Sequence, residues 1–427
     1  MVRYQDKAIN DEILEKLSLK NRYAFLNNNL MSILKPEQFN WLKTVQKFCM
    51  RFEKKNNIQH SPDEDFYEWI PEFGKAGLVT RGYKYEEIDL NYEYYGLTVD
   101  MLRAIAIDMF DTQFDMALGA TILAINPIKA HHNGRPECLK ALKELVTGES
   151  PGAILITEPE RGSDAVHMLT ECKQNEDGSF TLNGEKVYNS NAPKSKWVVG
   201  YACAEKDNGR TMAQFLINTN WEGFNVKRVF IPWVPKIWIG HEHLENLRVP
   251  PEYVLGGIGT GRDHLFDGLT PERIMIAMGN IGQAWGALSL AFLFINMRKQ
   301  FKQEVLKFQG VGFTFADYWA RCSNLTLGLL KFCEEYDAKM EKFSGEIPRN
   351  ISQAIVASAS HLKLEASRLS ERCCYEMANL MGGAGVNDNT MMQDLLGLSR
   401  IQEIVGGTRQ IQQYIISMAT RQLWKMI

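Results

Sequence analysis

Apolar and polar positions divide the chain into three regions with different periodicities. Residues 1–150 carry apolar positions at helical spacing, as in KPEQFNWLKTVQKFCMRFEKK and ECLKALKELVTG, and few strand signals. After the turn at 150–152 come short runs rich in β-branched and aromatic residues: AILITEP, GSFTLNGEKVYNS, KWVVGYACAE and MAQFLINT. Beyond the glycine-rich GGIGTG at 256–261, helical character continues to Ile427. The pattern predicts a mainly α, α+β multidomain protein: a helical domain at 1–150, an antiparallel β domain at 151–255 and a helical bundle at 256–427.

Two local signals refine this outline. The step Asn183-Gly184 lies between two strand-like runs and predicts a hairpin turn. In GLTPERIMIAMG, Thr270 as N-cap and Pro271 as first-turn proline predict a helix that begins there, with Glu272 in its first turn. A carboxylate in that place is stabilised by the helix macrodipole by about 0.3–1 kcal/mol. Whether Glu272 also removes a proton is a separate question.

The segment from Ile274 to Met297 contains no charged residue and is long enough to cross a bilayer. Polar residues interrupt it, however, and no Trp/Tyr belts flank it. A fully buried helix of a large bundle has the same composition. We therefore expect a core helix here and no membrane span.

Composition narrows the function classes. The chain has 48 basic and 51 acidic residues and a formal charge of −3, which gives no electrostatic case for binding nucleic acid or an anionic membrane. Its eight cysteines include no C-x-x-C pair, so we expect reduced thiols and a cytoplasmic location. The start, MVRYQDKAINDEILEK, resembles neither a signal peptide nor a transit peptide.

Motifs for metals and for common nucleotide folds are missing. The clustered histidines are His131-His132 and the pair His241 and His243 in GHEHLEN, and neither has a third ligand at matching spacing. We therefore expect no metal. The chain also lacks a G-x-S-x-G elbow, a P-loop and a G-x-G-x-x-G motif that opens a βαβ unit.

Five other segments form a recognisable series. They are ITEPERGSD (156–164), NGEKVYNSN (183–191), MRKQF (297–301) followed by Gln309, NLMGGAG (379–385) and VGGTRQIQQ (405–413). In order and spacing they resemble motifs of the acyl-CoA dehydrogenase family. The corresponding family patterns are T-E-P-x-x-G-S-D, N-G-x-K-x-W-I-T-N, R-K-x-F with a later glutamine, Q-x-L-G-G-x-G, and G-T-x-x-I-Q. Each is weak alone, but five in register make the resemblance strong.

The resemblance implies an N-terminal helical domain, a β middle domain and a C-terminal four-helix bundle, with FAD at a dimer interface inside a homodimer or homotetramer. It also implies a set of cofactor-binding positions. Hydroxyls of Thr157 and Ser190 would meet the flavin ring, Ser163 would approach the pyrophosphate and Tyr188 would shield one ring face. Contacts to the rest of the cofactor would come from Arg298, Phe301, Gln309, Gly382, Gly383, Thr408 and Gln410, the first three reaching a neighbouring subunit's cofactor.

The chain departs from the family pattern in places. Glu160 and Arg161 replace small residues, Tyr188 stands for Trp, Ser190 for Thr and Asn379 for Gln. Ser190 keeps a hydroxyl and Tyr188 keeps an aromatic face, so both remain compatible with a flavin. Arg161 is either a solvated loop residue or a contact to the phosphates of a CoA or carrier arm.

The chemistry of this family requires a base for the α-proton of a thioester, while a hydride leaves the β-carbon for flavin N5. Many members carry a glutamate immediately before the last G-T motif, but this chain has Gly406 there. A subset resembling the isovaleryl and long-chain dehydrogenases instead places Glu-Arg at the start of the first bundle helix, and Glu272-Arg273 matches it. The resemblance therefore implies Glu272 as catalytic base, Arg273 as a pocket neighbour or ion-pair partner, and the Gly406 N–H as a donor to the thioester oxygen.

Several functions stay open at this point. The leading one is oxidation of an acyl-CoA to a trans-2-enoyl-CoA, with an electron-transfer flavoprotein as acceptor. The same chemistry on an acyl-carrier-protein substrate, and an oxidase or flavin monooxygenase, use the same fold. A non-catalytic helical binding protein that keeps the fold without the flavin is the alternative from another class.

Overall fold

The computed structural model describes residues 9–53, 65–343 and 347–424, and its elements follow the predicted order of helices, strands and helices. The α-helices are α1 (Asp11–Lys16), α2 (Leu19–Leu30), α3 (Pro36–Cys49), α4 (Ile70–Lys75), α5 (Leu97–Phe110), α6 (Thr112–His131), α7 (Pro136–Val146), α8 (Gly261–Met297), α9 (Gln309–Lys342), α10 (Arg349–Met381), α11 (Met392–Gln402) and α12 (Arg409–Trp424). The strands are β1 (Gly152–Leu155), β2 (Glu171–Gln174), β3 (Phe180–Ser190), β4 (Trp197–Cys203), β5 (Met212–Asn218), β6 (Phe224–Val229), β7 (Ile239–Val249), β8 (Val254–Leu255), β9 (Lys299–Gln300) and β10 (Gln303–Glu304).

By compactness the chain divides into two units. The helical unit contains residues 1–65, 94–115 and 273–427, and the β unit contains residues 66–93 and 116–272. Each unit is thus assembled from segments that lie far apart in sequence. The three domains with boundaries at 150 and 255 remain a prediction.

The β unit is built on one eight-stranded sheet. Its strand order is β6-β7-β3-β2-β4-β5-β8, and β1 pairs with β4. The pairs are antiparallel except that β4 lies parallel to β1 and to β2, so the predicted antiparallel sheet is mixed at this one strand. Strand β4 is buried at all seven positions, as expected for a central strand with an uninterrupted apolar run. Phe180, Leu182, Phe215 and Leu247 lie in the core against this sheet.

The predicted hairpin turn at Asn183-Gly184 is wrong. Both residues lie inside β3, where the register to β7 shifts between Leu182 and Gly184. Gly184 has a φ of +150°, and a Cβ there would lie 2.7 Å from the Cα of Thr170, so the glycine serves a close backbone approach. The turn between β2 and β3 instead closes at Gly178, whose N–H donates to the carbonyl of Asn175.

In the helical unit the long helix α10 packs against α9, α11 and α12, and α5 packs against α3 and α9. The predicted helical character beyond residue 256 is interrupted by a short hairpin that the sequence analysis did not predict. Residues Lys299–Gln300 and Gln303–Glu304 pair as a two-stranded hairpin between α8 and α9. Its two central residues, Phe301 and Lys302, have φ of +49° and +67°, which is the backbone of a type I′ turn. The sequence signal for this turn is weak because neither residue is Gly, Asn or Asp.

Within the described ranges, α8 is the one helix whose length and composition would allow it to cross a membrane. In its most apolar window 89% of the residues are buried inside the protein, as expected for a core helix. The eight cysteines are all buried, and none forms a disulfide. The reduced state of these thiols and their compartment stay predictions.

Candidate active site

A cavity of about 120 Å³ inside the β unit contains Glu272 in its wall. Helix α6 contributes positions 123, 126, 127, 130 and 131, and α8 contributes positions 264, 265, 267–269, 271 and 272. Both sets follow the three-and-four spacing of one helix face. Ile154 on β1 and Ile156 just after its end add two apolar side chains, and β4 adds Tyr201. The fold therefore places a carboxylate in a small, mainly apolar chamber.

The predicted helix start beside Glu272 is wrong. Helix α8 begins at Gly261, so Pro271 lies inside it and Glu272 lies about three turns from its N-terminus. A Cβ on Gly261 would lie 2.8 Å from the backbone of Met212, so this glycine lets the helix begin against β5. Because the macrodipole acts within the first turn, it does not account for Glu272. The helix instead presents this side chain to the cavity.

Two imidazoles stack in the wall of the same cavity. The rings of His131 and His264 have centroids 3.5 Å apart and are tilted by 15°. Burial, followed by the neighbouring His264, lowers the pKa of His131 to about 4, and burial also lowers the pKa of His264. Both rings are therefore neutral at pH 7, which permits close face-to-face contact.

A hydrogen-bond chain connects one of these rings to Tyr201. The Gln214 amide nitrogen donates to the Tyr201 hydroxyl, and its carbonyl oxygen lies 3.2 Å from His264 Nδ1. Burial first, and then the negative charges of Glu272 and Asp267, raise the pKa of Tyr201. The Tyr201 hydroxyl therefore stays protonated beside the Glu272 carboxylate.

The ITEPERGSD segment forms a tight turn held by Glu158. Its buried carboxylate accepts hydrogen bonds from the backbone N–H of Leu169, from the backbone N–H and hydroxyl of Thr170, and from Lys186 Nζ at 2.9 Å. Thr157 uses its carbonyl to accept from the Val187 N–H. The turn is thereby fixed to strand β3.

The polar residues after this turn face solvent. Ser163 is exposed, and the partly exposed Arg161 donates from Nε to the His167 carbonyl and from its guanidinium to the Glu160 carbonyl. Arg161 is thus folded onto its own loop at the edge of the β unit.

Strand β3 carries an irregularity at Tyr188. The register to β7 shifts between Val187 and Asn189, and Tyr188 has a φ of +64°. Its ring is 62% exposed, whereas Ser190 at the strand end is partly buried. Side chains alternate between the two faces from Tyr188 to Ser190, whereas Lys186 and Val187 before them are both buried. The Tyr188 ring and the Ser190 hydroxyl therefore lie two positions apart at the end of the same strand.

In the helical unit, the RKQF segment (298–301) runs along the first strand of the β9–β10 hairpin to its tip. Phe301 at its tip is 89% exposed, and Arg298 and Gln309 at its two ends are also exposed. The Val305 N–H donates to the Arg298 carbonyl and closes the base of the hairpin. These three side chains project from the unit and do not form part of its core.

The two glycine motifs lie next to the ends of helices. Gly382, with a φ of +61°, ends α10, and both Gly382 and Gly383 are exposed. Gly406 and Gly407 have φ of +65° and +93° and lie just before α12. Among the residues that the structure describes, none accepts a hydrogen bond from the Gly406 N–H. Thr408, on the same loop, accepts from the Gln412 N–H through its carbonyl.

Two buried side chains hold this glycine loop, and the sequence reasoning missed both. Lys363 Nζ donates to the carbonyls of Glu403 and Gly407 at 3.0 and 2.9 Å. The Gln412 amide donates to the carbonyls of Gly406 and Gly407 at 3.0 and 2.9 Å. Lys363 carries no motif signal, and it lies 43 positions before Gly406 in the sequence. Gln412 lies within the motif, next to residues that were predicted.

The predicted site residues thus fall into two groups. The β unit holds Glu272, Thr157, Arg161, Ser163, Tyr188 and Ser190, and the helical unit holds Arg273, Arg298, Phe301, Gln309, Gly382, Gly383, Gly406, Thr408 and Gln410. Of these, Thr157 and Tyr188 come together through the turn and β3, whereas Glu272 lies in the separate cavity wall. Arg273 is buried and follows Glu272 in α8, and Gln410 is exposed in the first turn of α12.

Two family models match the chain. The model of the acyl-CoA dehydrogenase middle domain matches residues 153–233, and that of the acyl-CoA dehydrogenase C-terminal domain matches residues 259–420. Isovaleryl-CoA dehydrogenase from Oryza sativa subsp. japonica is 26% identical over 375 residues, covering 86% of this chain and 85% of that protein.

Solved structures show the same fold. Butyryl-CoA dehydrogenase from Megasphaera elsdenii superposes with a TM-score of 0.80 at 24% identity, covering 91% of this chain and 98% of that one. An acyl-CoA dehydrogenase complexed with FAD from Bacillus anthracis superposes with a TM-score of 0.81 at 23% identity, covering 92% of this chain and 68% of that one.

The fold and the motif series define a flavin-dependent oxidoreductase that acts on CH–CH bonds. The chain belongs to the acyl-CoA dehydrogenase family. Its residues fit the FAD of that family, since Tyr188 presents an exposed ring beside the Ser190 hydroxyl, and Gly382 and Gly383 leave open backbone. As a member of this family of enzymes, the chain is not the non-catalytic binding protein considered above.

Proposed function

We propose that this enzyme oxidises an acyl-CoA thioester to the trans-2-enoyl-CoA, with Glu272 removing the α-proton. The observation that carries the proposal is the position of Glu272 in the wall of the cavity, while Gly406 stands where many family members have the base. Most of the cavity lining is apolar, and a chamber without bulk water strengthens the electrostatic contacts made inside it.

Glu272 and Gly406 would have different roles in this reaction. Glu272 takes the proton from the α-carbon, and the Gly406 N–H donates to the thioester oxygen as negative charge develops there. Lys363 and Gln412 keep the Gly406 loop in shape through the carbonyl groups on either side. Such preorganised donors stabilise the enolate-like transition state without having to reorient.

The residues that would hold FAD are the two groups described above. Thr157, Ser163, Tyr188 and Ser190 would meet it from the β unit, and Arg298, Phe301, Gln309, Gly382, Gly383, Thr408 and Gln410 from helical units of a homodimer or homotetramer. The exposed tip of the β9–β10 hairpin supports the contribution from a neighbouring subunit. When bound, FAD supplies a hydride acceptor.

The remaining assignments belong to the same proposal. Arg161 would contact the phosphates of the CoA arm, Arg273 would border the acyl pocket, and an electron-transfer flavoprotein would reoxidise the enzyme. The eight buried, unpaired thiols support a reducing compartment such as the cytoplasm. The isovaleryl-CoA relative supports short branched thioesters as the first substrates to test.

The test is an anaerobic titration of the purified holoenzyme with a panel of acyl-CoA thioesters, monitored by bleaching of the oxidised-flavin absorbance. We expect wild type to bleach, and Glu272→Gln to lower the bleaching rate by about 10²–10⁴-fold, the usual contribution of a general base. Asp267→Asn is the matched control, because Asp267 lines the same cavity on the same helix. It should keep most of the rate.

Other outcomes distinguish the alternatives. A Glu272→Gln enzyme that bleaches at the wild-type rate would overturn the assignment of the base. A wild-type enzyme that bleaches only with acyl-carrier-protein thioesters would replace the substrate class and keep the chemistry. Flavin that a thioester bleaches and that oxygen then reoxidises rapidly, without any other acceptor, would indicate an oxidase. Flavin that no thioester reduces, but that a separate reductant such as a reduced nicotinamide reduces with oxygen consumption, would indicate a monooxygenase.

A further inference from the structure

Three side chains able to bind a metal ion converge on one face of the sheet in the β unit. They are Glu185 on β3 and His241 and His243 on β7, and one donor atom of each lies within 4.8 Å of the others. None of the three lines the Glu272 cavity. The sequence showed only the two histidines and offered no third ligand.

The strand geometry explains why these side chains meet. Residues two apart on a strand point to the same face, so His241 and His243 project together while Glu242 between them is buried on the other side. Glu185 is paired in register with His243 across β3 and β7. Side chains of directly paired residues lie close enough to share a ligand.

The distances suit a common ion. His241 Nε2 lies 3.0 Å from Glu185 Oε2, and His243 Nδ1 lies 3.6 Å from Glu185 Oε1. Two ligand atoms bound at about 2.0–2.2 Å to one tetrahedral zinc are roughly 3.3–3.6 Å apart, so only small side-chain rotations are needed. The centroids of the two imidazoles are 4.3 Å apart.

The site is also accessible and chemically selective. The side chains of His241, His243 and Glu185 are 30%, 28% and 50% exposed, so an ion can enter from solvent. Two imidazoles and one carboxylate favour Zn²⁺ and similar transition ions over Mg²⁺ or Ca²⁺, which prefer all-oxygen ligands. Lys227 on β6 pairs in register with His241 and therefore lies on the same face of the sheet.

We propose that Glu185, His241 and His243 form a binding site for a divalent transition-metal ion of the zinc type. The ion completes its coordination with water and joins β3 to β7 on the face of the sheet opposite Glu242. This site lies outside the Glu272 cavity, and the proposal holds whether or not Glu272 is the catalytic base.

The experiment uses tag-free holoenzyme treated with EDTA and then dialysed. Zn²⁺ is titrated calorimetrically, and Co²⁺ is added separately to record its visible ligand-field spectrum. We expect one equivalent of Zn²⁺ per chain, a Co²⁺ spectrum typical of tetrahedral or five-coordinate geometry, and a higher melting temperature with Zn²⁺, because the ion binds the folded sheet.

Variants test the ligands directly. His241→Ala and His243→Ala should each abolish the Co²⁺ spectrum, and Glu185→Gln should weaken Zn²⁺ binding at least tenfold. His361→Ala, which removes an exposed histidine of α10, is the matched control and should bind as wild type does. Far-ultraviolet circular dichroism and flavin content verify that each variant is folded.

Two results would overturn the proposal. One is wild-type enzyme that takes up no Zn²⁺ at millimolar concentration. The other is stoichiometric binding that survives in the His241→Ala/His243→Ala double variant, which would place the ion elsewhere. A wild-type melting temperature unchanged at saturating Zn²⁺ would remove the inferred connection of β3 to β7.

Discussion

Lys186 Nζ lies 2.9 Å from Glu158 Oε1, and both side chains are at least 98% buried inside the β unit. Burial acts to raise the pKa of Glu158, but the Lys186 charge and the hydrogen bond from Thr170 outweigh it and hold the pKa below its usual value. Burial lowers the pKa of Lys186, and the Glu158 charge and hydrogen bond oppose this. The pair is thus held by mutual electrostatic attraction and by a hydrogen bond inside the unit. It connects the ITEPERGSD turn to strand β3, the two segments that carry Thr157 and Tyr188.

Lys186→Met should destabilise the protein, because it leaves the Glu158 carboxylate buried without its counter-charge. The expected loss is about 3–5 kcal/mol in the free energy of unfolding, measured by urea denaturation. We also expect weaker FAD retention through the loosened turn. Lys173→Met on β2 is the control, since Lys173 is exposed. Equal stability of the two variants would contradict a structural role for the pair.

Lys363→Met should lower catalytic efficiency by moving the Gly406 loop. Lys363 is fully buried and is held by backbone carbonyls of Glu403 and Gly407. A displacement of about 1 Å in a reacting group can cost around 100-fold in rate. We expect kcat to fall at least tenfold with a smaller change in KM, in steady-state assays with a saturating electron acceptor. Lys331→Met, at an exposed position of α9, should leave kcat unchanged.

The tip of the β9–β10 hairpin can be tested for a role between subunits. Phe301 is 89% exposed, so Phe301→Ala should change the stability of one chain by no more than about 0.5 kcal/mol. If the ring contacts the cofactor of a neighbouring subunit, FAD content after gel filtration should fall. Full flavin retention in Phe301→Ala would count against the intersubunit contact.

Lys302→Gly should stabilise the hairpin by roughly 1–2 kcal/mol, because glycine adopts the left-handed backbone without strain.

Arg161→Ala should raise KM for an acyl-CoA about tenfold with little effect on kcat, if the guanidinium binds the phosphates of the CoA arm. The side chain is partly exposed, and its Nε donates to the His167 carbonyl. Steady-state kinetics with acyl-CoA and with a truncated thioester that lacks the nucleotide test this contact. Arg161→Ala should raise KM for the full acyl-CoA and leave KM for the truncated thioester unchanged. Arg248→Ala, at an exposed position of β7, is the control.

A buried carboxylate in the helical unit should make stability depend on pH. Burial raises the pKa of Asp115 to about 7, although the Arg103 charge opposes this. An unfolded aspartate titrates near 3.9, so between about pH 4 and pH 7 the folded chain holds a proton that the unfolded chain has released. The free energy of unfolding contributed by Asp115 is therefore greatest below about pH 4 and falls as the pH rises to about 7.

Asp115→Asn removes this titration and should flatten the decline of stability across that range. Melting temperatures of the holoenzyme at several pH values between about 4.5 and 8 provide the measurement. Asp317→Asn, at an exposed carboxylate of α9, should keep the wild-type slope. A slope that Asp115→Asn leaves unchanged would show that other groups set it.

The sequence determined much of the fold by itself. Helical spacing in α3 and α7, β-branched runs in β1, β4 and β5, and the glycine-rich break before α8 depend on local periodicity, which the chain carries in short windows. The five motifs, taken in order, indicated the family. Short stretches of sequence were enough for these conclusions, because each periodic segment and each motif consists of residues close together in the chain.

Tertiary structure decided the rest. The turn at Gly178 rather than Gly184 depends on the approach of Thr170, and the start of α8 depends on its contact with β5. The Glu158–Lys186 pair, the Lys363 contacts to the glycine loop, and the meeting of Glu185 with His241 and His243 join residues 28, 40–44 and 56–58 positions apart. No local pattern encodes such pairings, because they depend on strand register and packing. The sequence therefore indicated the class of reaction, and the fold determined which side chains lie around the reacting groups.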